Sequence, residues 1–250
     1  MHNLGTLTKR EFQSYYYSPI AYVVITIFLL IQGYTFWILM NLLNNSRGSV
    51  TTDAVMEYFL GGGENIFFWL CLLLIVPLIT MRLLADEMKS GTIELLMTAP
   101  VTDTEVVLSK FLGAFCFYIV LWIPTFSFVG IVNYYINPGF GPIYSGYLGT
   151  ILVGGVLISI GLFTSSLTQN QIIAAIFSFF IILIFFSIGF LNSFVPVQNI
   201  RNFISYISIL EHYADFIKGI IDTRHIVYYV SLIIIMLFLT VKTLESRKVR

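Results

Sequence analysis

The stretch QIIAAIFSFFIILIFFSIGFLNSF, from Gln171 to Phe194, holds no Asp, Glu, Lys, Arg or His. At about 1.5 Å of rise per residue, a helix of this length crosses a hydrocarbon core of about 30 Å. A strand of a membrane barrel would instead alternate apolar and polar positions over about 10 residues. This run does not alternate. It predicts a transmembrane helix.

Five further charge-free runs lie at 20–40, 66–81, 111–132, 147–168 and 226–241. The helices built on the third and sixth runs are expected to extend over 106–132 and 226–244. The second and sixth runs are short, and aromatic anchors are expected to complete their ends. Of the 250 residues, 58% are hydrophobic and only 10% are charged, with a mean hydropathy of +0.89. A soluble surface needs about 25% charge, so that deficit excludes a soluble domain. The expected fold class is an all-α membrane protein, a single domain over 1–250 with six transmembrane helices.

Basic residues orient the spans. One side of the alternating topology holds Lys9, Arg10, Arg82, Lys89, Lys110, Lys242, Arg247, Lys248 and Arg250; the other holds Arg47, Arg201, Lys218 and Arg224. The richer side is expected to be cytosolic, with both termini inside. The first run spans fully and lacks an A-x-A-like exit, so a cleaved signal peptide is not expected. Cys71 and Cys116 both fall in predicted spans and imply no disulfide framework. Net charge is zero, and no nucleic-acid partner is expected.

Between the second and third runs lies RLLADEMKSGTIELLMTAPVTDTEVVLSK, from Arg82 to Lys110. Leu83, Leu84 and Met88 continue a helix until Ser90-Gly91 interrupts it. Ile93, Leu95, Leu96 and Met97 then give a second short element, which Pro100 stops. Thr102-x-x-Glu105 is a capping box for the third long helix. The insert over 82–105 is therefore read as helix, tight turn, short helix and turn. Its residues are expected to face solvent, and short helices joined to two spans make levers that a partner could grip.

Three other stretches organise the chain. Leu4, Leu7, Phe12, Tyr15, Tyr16 and Pro19 fall near one face, suiting an interfacial helix over 4–17. In the fourth span Thr150/Gly154, Gly155/Ser159 and Gly161/Ser165 have small-xxx-small spacing, fit for close packing within one chain or between two copies. The segment 195–225 carries an apolar stripe of helical period from Phe203 to Ile221. It predicts an amphipathic helical segment that folds back as a re-entrant or surface-embedded hairpin, with Tyr206, Leu210 and Ile217 toward the bundle and Glu211, Asp215 and Lys218 toward solvent. Thr51 or Thr52 would cap a short helix in the loop before the second span, Pro124 should kink the third span, and NYYINPGFGPIYSG reads as a turn-rich loop.

Chemistry-bearing motifs are missing. The sequence has no P-loop, no H-E-x-x-H and no G-x-S-x-G. His2, His212 and His225 are scattered, and Glu211-His212 reads as a surface pair. Charge-free spans argue against a proton relay within the membrane. Energy for any work is expected to come from another chain.

The run ADEMKSGTIELLMTAPVTDTEVVLSKFLGA resembles the signature of ABC-2 type permeases at Glu87, Lys89, Gly91, Thr92, Glu94, Leu95, Leu96, Pro100 and Lys110. KREFQSYYYSPIAYVV resembles that family's interfacial elbow. LEHYADFIKGIIDTRHIVYYVSL is similar to the distal segment and last span of its gliding-motility-associated branch. Ser109 stands where the family's Gly-Lys would place glycine. The resemblance implies a permease subunit without catalytic residues, in a bacterial inner membrane, working as an exporter or a motility-type machine. ATP and Mg would be bound by a cytosolic ABC ATPase, and this chain would bind no cofactor. A second permease copy or paralogue, a periplasmic partner and membrane lipid would complete the assembly.

In that family the insert acts as a coupling helix, which here implies Asp86, Glu87, Lys89, Gly91, Thr92, Glu94 and Pro100. The outer segment would be a re-entrant gate carrying Tyr206, Leu210, Glu211, Asp215, Ile217 and Lys218. The competing readings are a membrane anchor or scaffold that recruits a cytosolic complex, and an ion-driven carrier.

Overall fold

The computed structural model describes residues 4–45, 57–62, 65–92, 102–136, 140–191 and 198–248. Among these no strand occurs, and six helices are long and apolar enough to cross a membrane. The helices run α1 (Leu4–Tyr16), α2 (Pro19–Asn45), α3 (Ile66–Thr80), α4 (Ala85–Ser90), α5 (Asp103–Trp122) and α6 (Phe126–Ile136). They continue with α7 (Phe140–Leu167), α8 (Gln171–Leu191), α9 (Gln198–Ile207), α10 (Ile209–Ile217) and α11 (Thr223–Lys248). The expected cap at Thr51 or Thr52 and the insert's second helix, with Glu94 and Pro100, lie outside the described residues.

α7 is the axle of the bundle, touching α3, α5, α8, α10 and α11. Its small residues explain why. A Cβ on Gly154 would sit 2.1 Å from the Tyr118 ring of α5, and one on Gly161 would sit 2.1 Å from Thr80 Oγ1 of α3. Packing of helix against helix in lipid depends on such close approach. The small-residue spacing is thus used within this one chain. Tyr118 closes the contact by donating its hydroxyl to Thr150 O at 3.1 Å.

The third span breaks where Pro124 stands. Ile123–Thr125 forms a 3-10 turn between α5 and α6, because proline offers no N–H to continue the helix. Thr125 Oγ1 donates to Trp122 O at 2.7 Å and meets the Tyr147 hydroxyl at 2.8 Å. The fourth span starts earlier than 147. Helix begins at Phe140 and α6 runs to Ile136, so most of the expected turn-rich loop is helical, and Pro142 occupies the first turn of α7, where no N–H is required. α11 likewise overruns the expected span at both ends.

α1 forms where expected, and it lies along α5. Tyr15 stacks on Phe117 with ring centroids 4.6 Å apart, and its buried hydroxyl donates to Ile79 O at 3.1 Å. That carbonyl belongs to the last turn of α3, which has no helical donor left for it. α2, α8 and α11 leave large apolar side chains exposed, among them Leu30, Trp37, Phe180, Ile184, Ile234 and Phe238, as helices facing lipid do.

The segment after α8 departs from expectation at Tyr206. The single stripe is two helices, broken at Ser208, whose extended backbone and side chain cap α10 by accepting from Glu211 N at 3.3 Å. The break resets the helical phase, so Tyr206 is 65% exposed rather than turned to the bundle. Ile217 is buried as expected, joined by Tyr213 and Phe216. α11 bonds to carbonyls on both sides of the break: Tyr228 donates to Ile207 O and Tyr229 to Ile209 O.

Candidate functional site

The insert begins as an extension of α3 and is fastened to the bundle at three points. α4 has Leu84 at its N-cap, which offers no side-chain acceptor. Ser165, on α7, supplies it instead. Its Oγ accepts from Leu84 N and Ala85 N, both at 3.1 Å, and donates to Met81 O at 3.2 Å. All three groups of that hydroxyl are used.

The second fastening is ionic. Lys110, on α5, is 2% exposed, and its Nζ lies 2.6 Å from Glu87 Oε1 of α4 and 3.5 Å from Glu11 Oε2 of α1. One buried ammonium therefore ties three helices together. A buried charge survives only when paired in this way. Gly113, one turn on, lets α1 come close enough: a Cβ there would be 2.8 Å from Glu11 Cβ. Arg82 adds a contact to Ser18 Oγ and sits 5.1 Å over the Tyr15 ring. Burial holds the Tyr15 phenol well above its ordinary range, so it remains a neutral donor.

The third fastening joins Asp86 to α8, where Gln171 Nε2 donates to Asp86 Oδ1 at 2.6 Å. The expectation that the insert's residues face solvent holds for Asp86, which stays exposed, and is corrected at Glu87. Glu87 turns inward to Lys110, and Met88 and Ala85 are buried. Lys89, Ser90, Gly91 and Thr92 are exposed. Gly91 ends α4 with φ 72°, a left-handed conformation that only glycine adopts without strain. A cavity of about 690 Å³ opens beside this tip, lined by Arg10, Glu11, Asp86, Glu87, Thr92 and Lys110 among others.

At the far end of the bundle, α10 is gripped from two sides. Tyr213 donates its hydroxyl to Leu60 O and meets Thr150 Oγ1 at 2.8 Å. His212 is 7% exposed, which corrects the reading of Glu211-His212 as a surface pair. Its Nδ1 lies 2.7 Å from His225 Nδ1 of α11, and His225 Nε2 lies 2.8 Å from Asp215 Oδ2. Asp215 is thus partnered across to α11, whereas Glu211 and Lys218 are exposed and Leu210 is half-buried. No group of three or more His, Cys, Asp or Glu able to hold a metal occurs among the described residues.

Sequence reading missed Ser165, Glu11, Gln171 and the histidine pair. Lys110 carried a usable signal, since a lysine embedded in an apolar helix must find a carboxylate. The others meet their partners across long stretches of chain that no local pattern links.

A family model described as ABC-2 family transporter protein matches residues 6–244. No curated protein matches the chain.

Proposed function

We infer the role of this chain from the fact that it belongs to the ABC-2 transporter family, whose members are the membrane subunits of ABC transporters. It serves as the permease subunit through which a cytosolic ABC ATPase, holding ATP and Mg, drives movement across a bacterial inner membrane. The end carrying α1, α4 and the C-terminal turns of α11 is cytosolic. α1 is the interfacial elbow, and α9 with α10 is the re-entrant outer gate. A second copy or a paralogue completes the pore, and the machine is an exporter or one of the gliding-motility type, with a periplasmic partner outside.

The observation that carries this reading is the triple fastening of α4. A force applied at the exposed tip Lys89–Thr92 passes through Ser165 into α7, through Lys110 into α5 and α1, and through Gln171 into α8. That is what a coupling element requires. A loosely held loop would absorb the ATPase stroke as its own motion. ATP-driven closure of the paired ATPases would rock these helices together.

The tip is the place to test. Gly91→Pro cannot adopt φ 72°, so it should re-aim the tip while leaving the buried fastenings alone. The expected result is normal membrane abundance with ATPase co-purification or nucleotide-dependent transport reduced about tenfold, the equivalent of about 1.4 kcal/mol of lost docking. A variant that keeps full ATPase binding and full coupling would remove the tip from the interface.

A further inference from the structure

We propose that His212 and His225 bind one excess proton between their Nδ1 atoms, and that this proton latches α10 to α11. His212 Nε2 lies 3.2 Å from Tyr206 O, and His225 Nε2 lies 2.8 Å from Asp215 Oδ2. A carbonyl and a carboxylate only accept, so both Nε2 atoms must carry hydrogen. A neutral imidazole has a single N–H, which leaves both Nδ1 atoms as bare acceptors. They nevertheless face each other at 2.7 Å, a hydrogen-bond distance. One further proton resolves the conflict. The pair is an imidazolium donating to an imidazole, and the Asp215 carboxylate balances its charge.

The surroundings fit that assignment. Asp215 bonds to His225 and a neutral carbonyl to His212, which places the cation on His225; burial, and behind it the charge of His225, holds His212 below the ordinary imidazole range. Tyr228 stacks on His212 with centroids 4.1 Å apart. Its hydroxyl and that of Tyr229 are directed to Ile207 O and Ile209 O, so neither supplies the missing proton. α8 lines the adjoining cavity with Gly189, and α9 lines it with Asn202, Ser205 and Tyr206. Glu211, Lys218 and Arg224 line the same cavity, which measures about 790 Å³. Asp222 accepts from Arg224 N at 2.8 Å and adds a negative charge near His225.

The consequence is a latch closed only while one proton is held. Losing it sets two lone pairs against each other, and one ring must turn, giving up either the Tyr206 carbonyl or Asp215. Adding a second proton opposes two cations in a buried site. Either change releases α10 from α11.

The chain has three histidines, so ¹⁵N-histidine labelling of a His2→Gln variant in bilayers reports this pair alone. At about pH 7.5, a pH at which an isolated imidazole is neutral, ring-nitrogen spectra should show three protonated nitrogens and one bare one. Asp215→Asn should move the loss of the third proton to lower pH by about one unit. Two protonated nitrogens at that pH, one per ring, would overturn the proposal. So would spectra that change when EDTA is added, since a metal ion would then occupy the gap. Neither outcome touches the permease reading, because no nucleotide or ATPase enters the experiment.

Discussion

Lys110→Met should cost the protein about 3 kcal/mol of stability, in the range measured when one partner of a buried ion pair is removed. The substitution keeps the apolar stem of the side chain, so the loss is the charge. Without the ammonium, Glu87 and Glu11 face each other across α4 and α1, with one Glu87 oxygen already buried and lacking a partner. Part of Glu87 reaches solvent, at 22% side-chain exposure, which keeps the figure at the lower end. Thermal unfolding of the purified chain in bilayer discs at neutral pH gives the measurement. The triple variant Lys110→Met, Glu87→Gln, Glu11→Gln should recover most of the loss, because the interaction and not the volume is at stake. A loss below about 0.5 kcal/mol, the scale of an exposed pair, would mean that the three helices are not tied by this ammonium.

Ser165→Ala should destabilise by about 2 kcal/mol and concentrate its effect on α4. The hydroxyl satisfies two backbone N–H groups on residues that are wholly buried. Orphaning a buried donor costs about 1–3 kcal/mol, and removing a helix N-cap costs about 1 kcal/mol. These overlap and do not add in full. Because Leu84 has no cap of its own to substitute, the first turn of α4 should open. Hydrogen exchange at Ala85–Met88 should accelerate at least tenfold, with α8 and α11 unchanged. Uniform acceleration through the bundle would show that Ser165 serves general packing. No acceleration would show that α4 is held by something else.

How far the fold was legible follows from what each part depends on. The spans depend on composition alone, and the absence of charge over 171–194 or 147–168 leaves a helix as the only way to satisfy the backbone in lipid. The capping box at Thr102 and Glu105 was legible because its partners are three residues apart, and both of its bonds form. The break at Ser208 was not, because a stripe of apolar residues at period 3.6 does not register a serine that stops one helix and caps the next. The insert was recognised as an element but misjudged in its exposure. Glu87 reads as a solvent charge until Lys110 arrives from the next long helix, whereas Asp86 stays exposed while it accepts from Gln171. Ser165 looked like one more small residue in a packing stripe, and only the fold brings it to the N-terminus of α4.

In the proposed coupling mechanism α4 moves as one body with α7 and α8. Spin labels at Thr92 and Asn170, in a chain whose Cys71 and Cys116 are replaced, measure it directly in the complex with its ATPase. Both positions are exposed, one on the tip and one in the turn joining α7 to α8. Between the nucleotide-free and ATP-trapped states their separation should stay constant within about 2 Å, the size of an ordinary shift between packed helices, and its distribution should remain narrow. A larger change, or a distribution that broadens with nucleotide, would show the insert swinging independently of the bundle and would contradict the coupling mechanism.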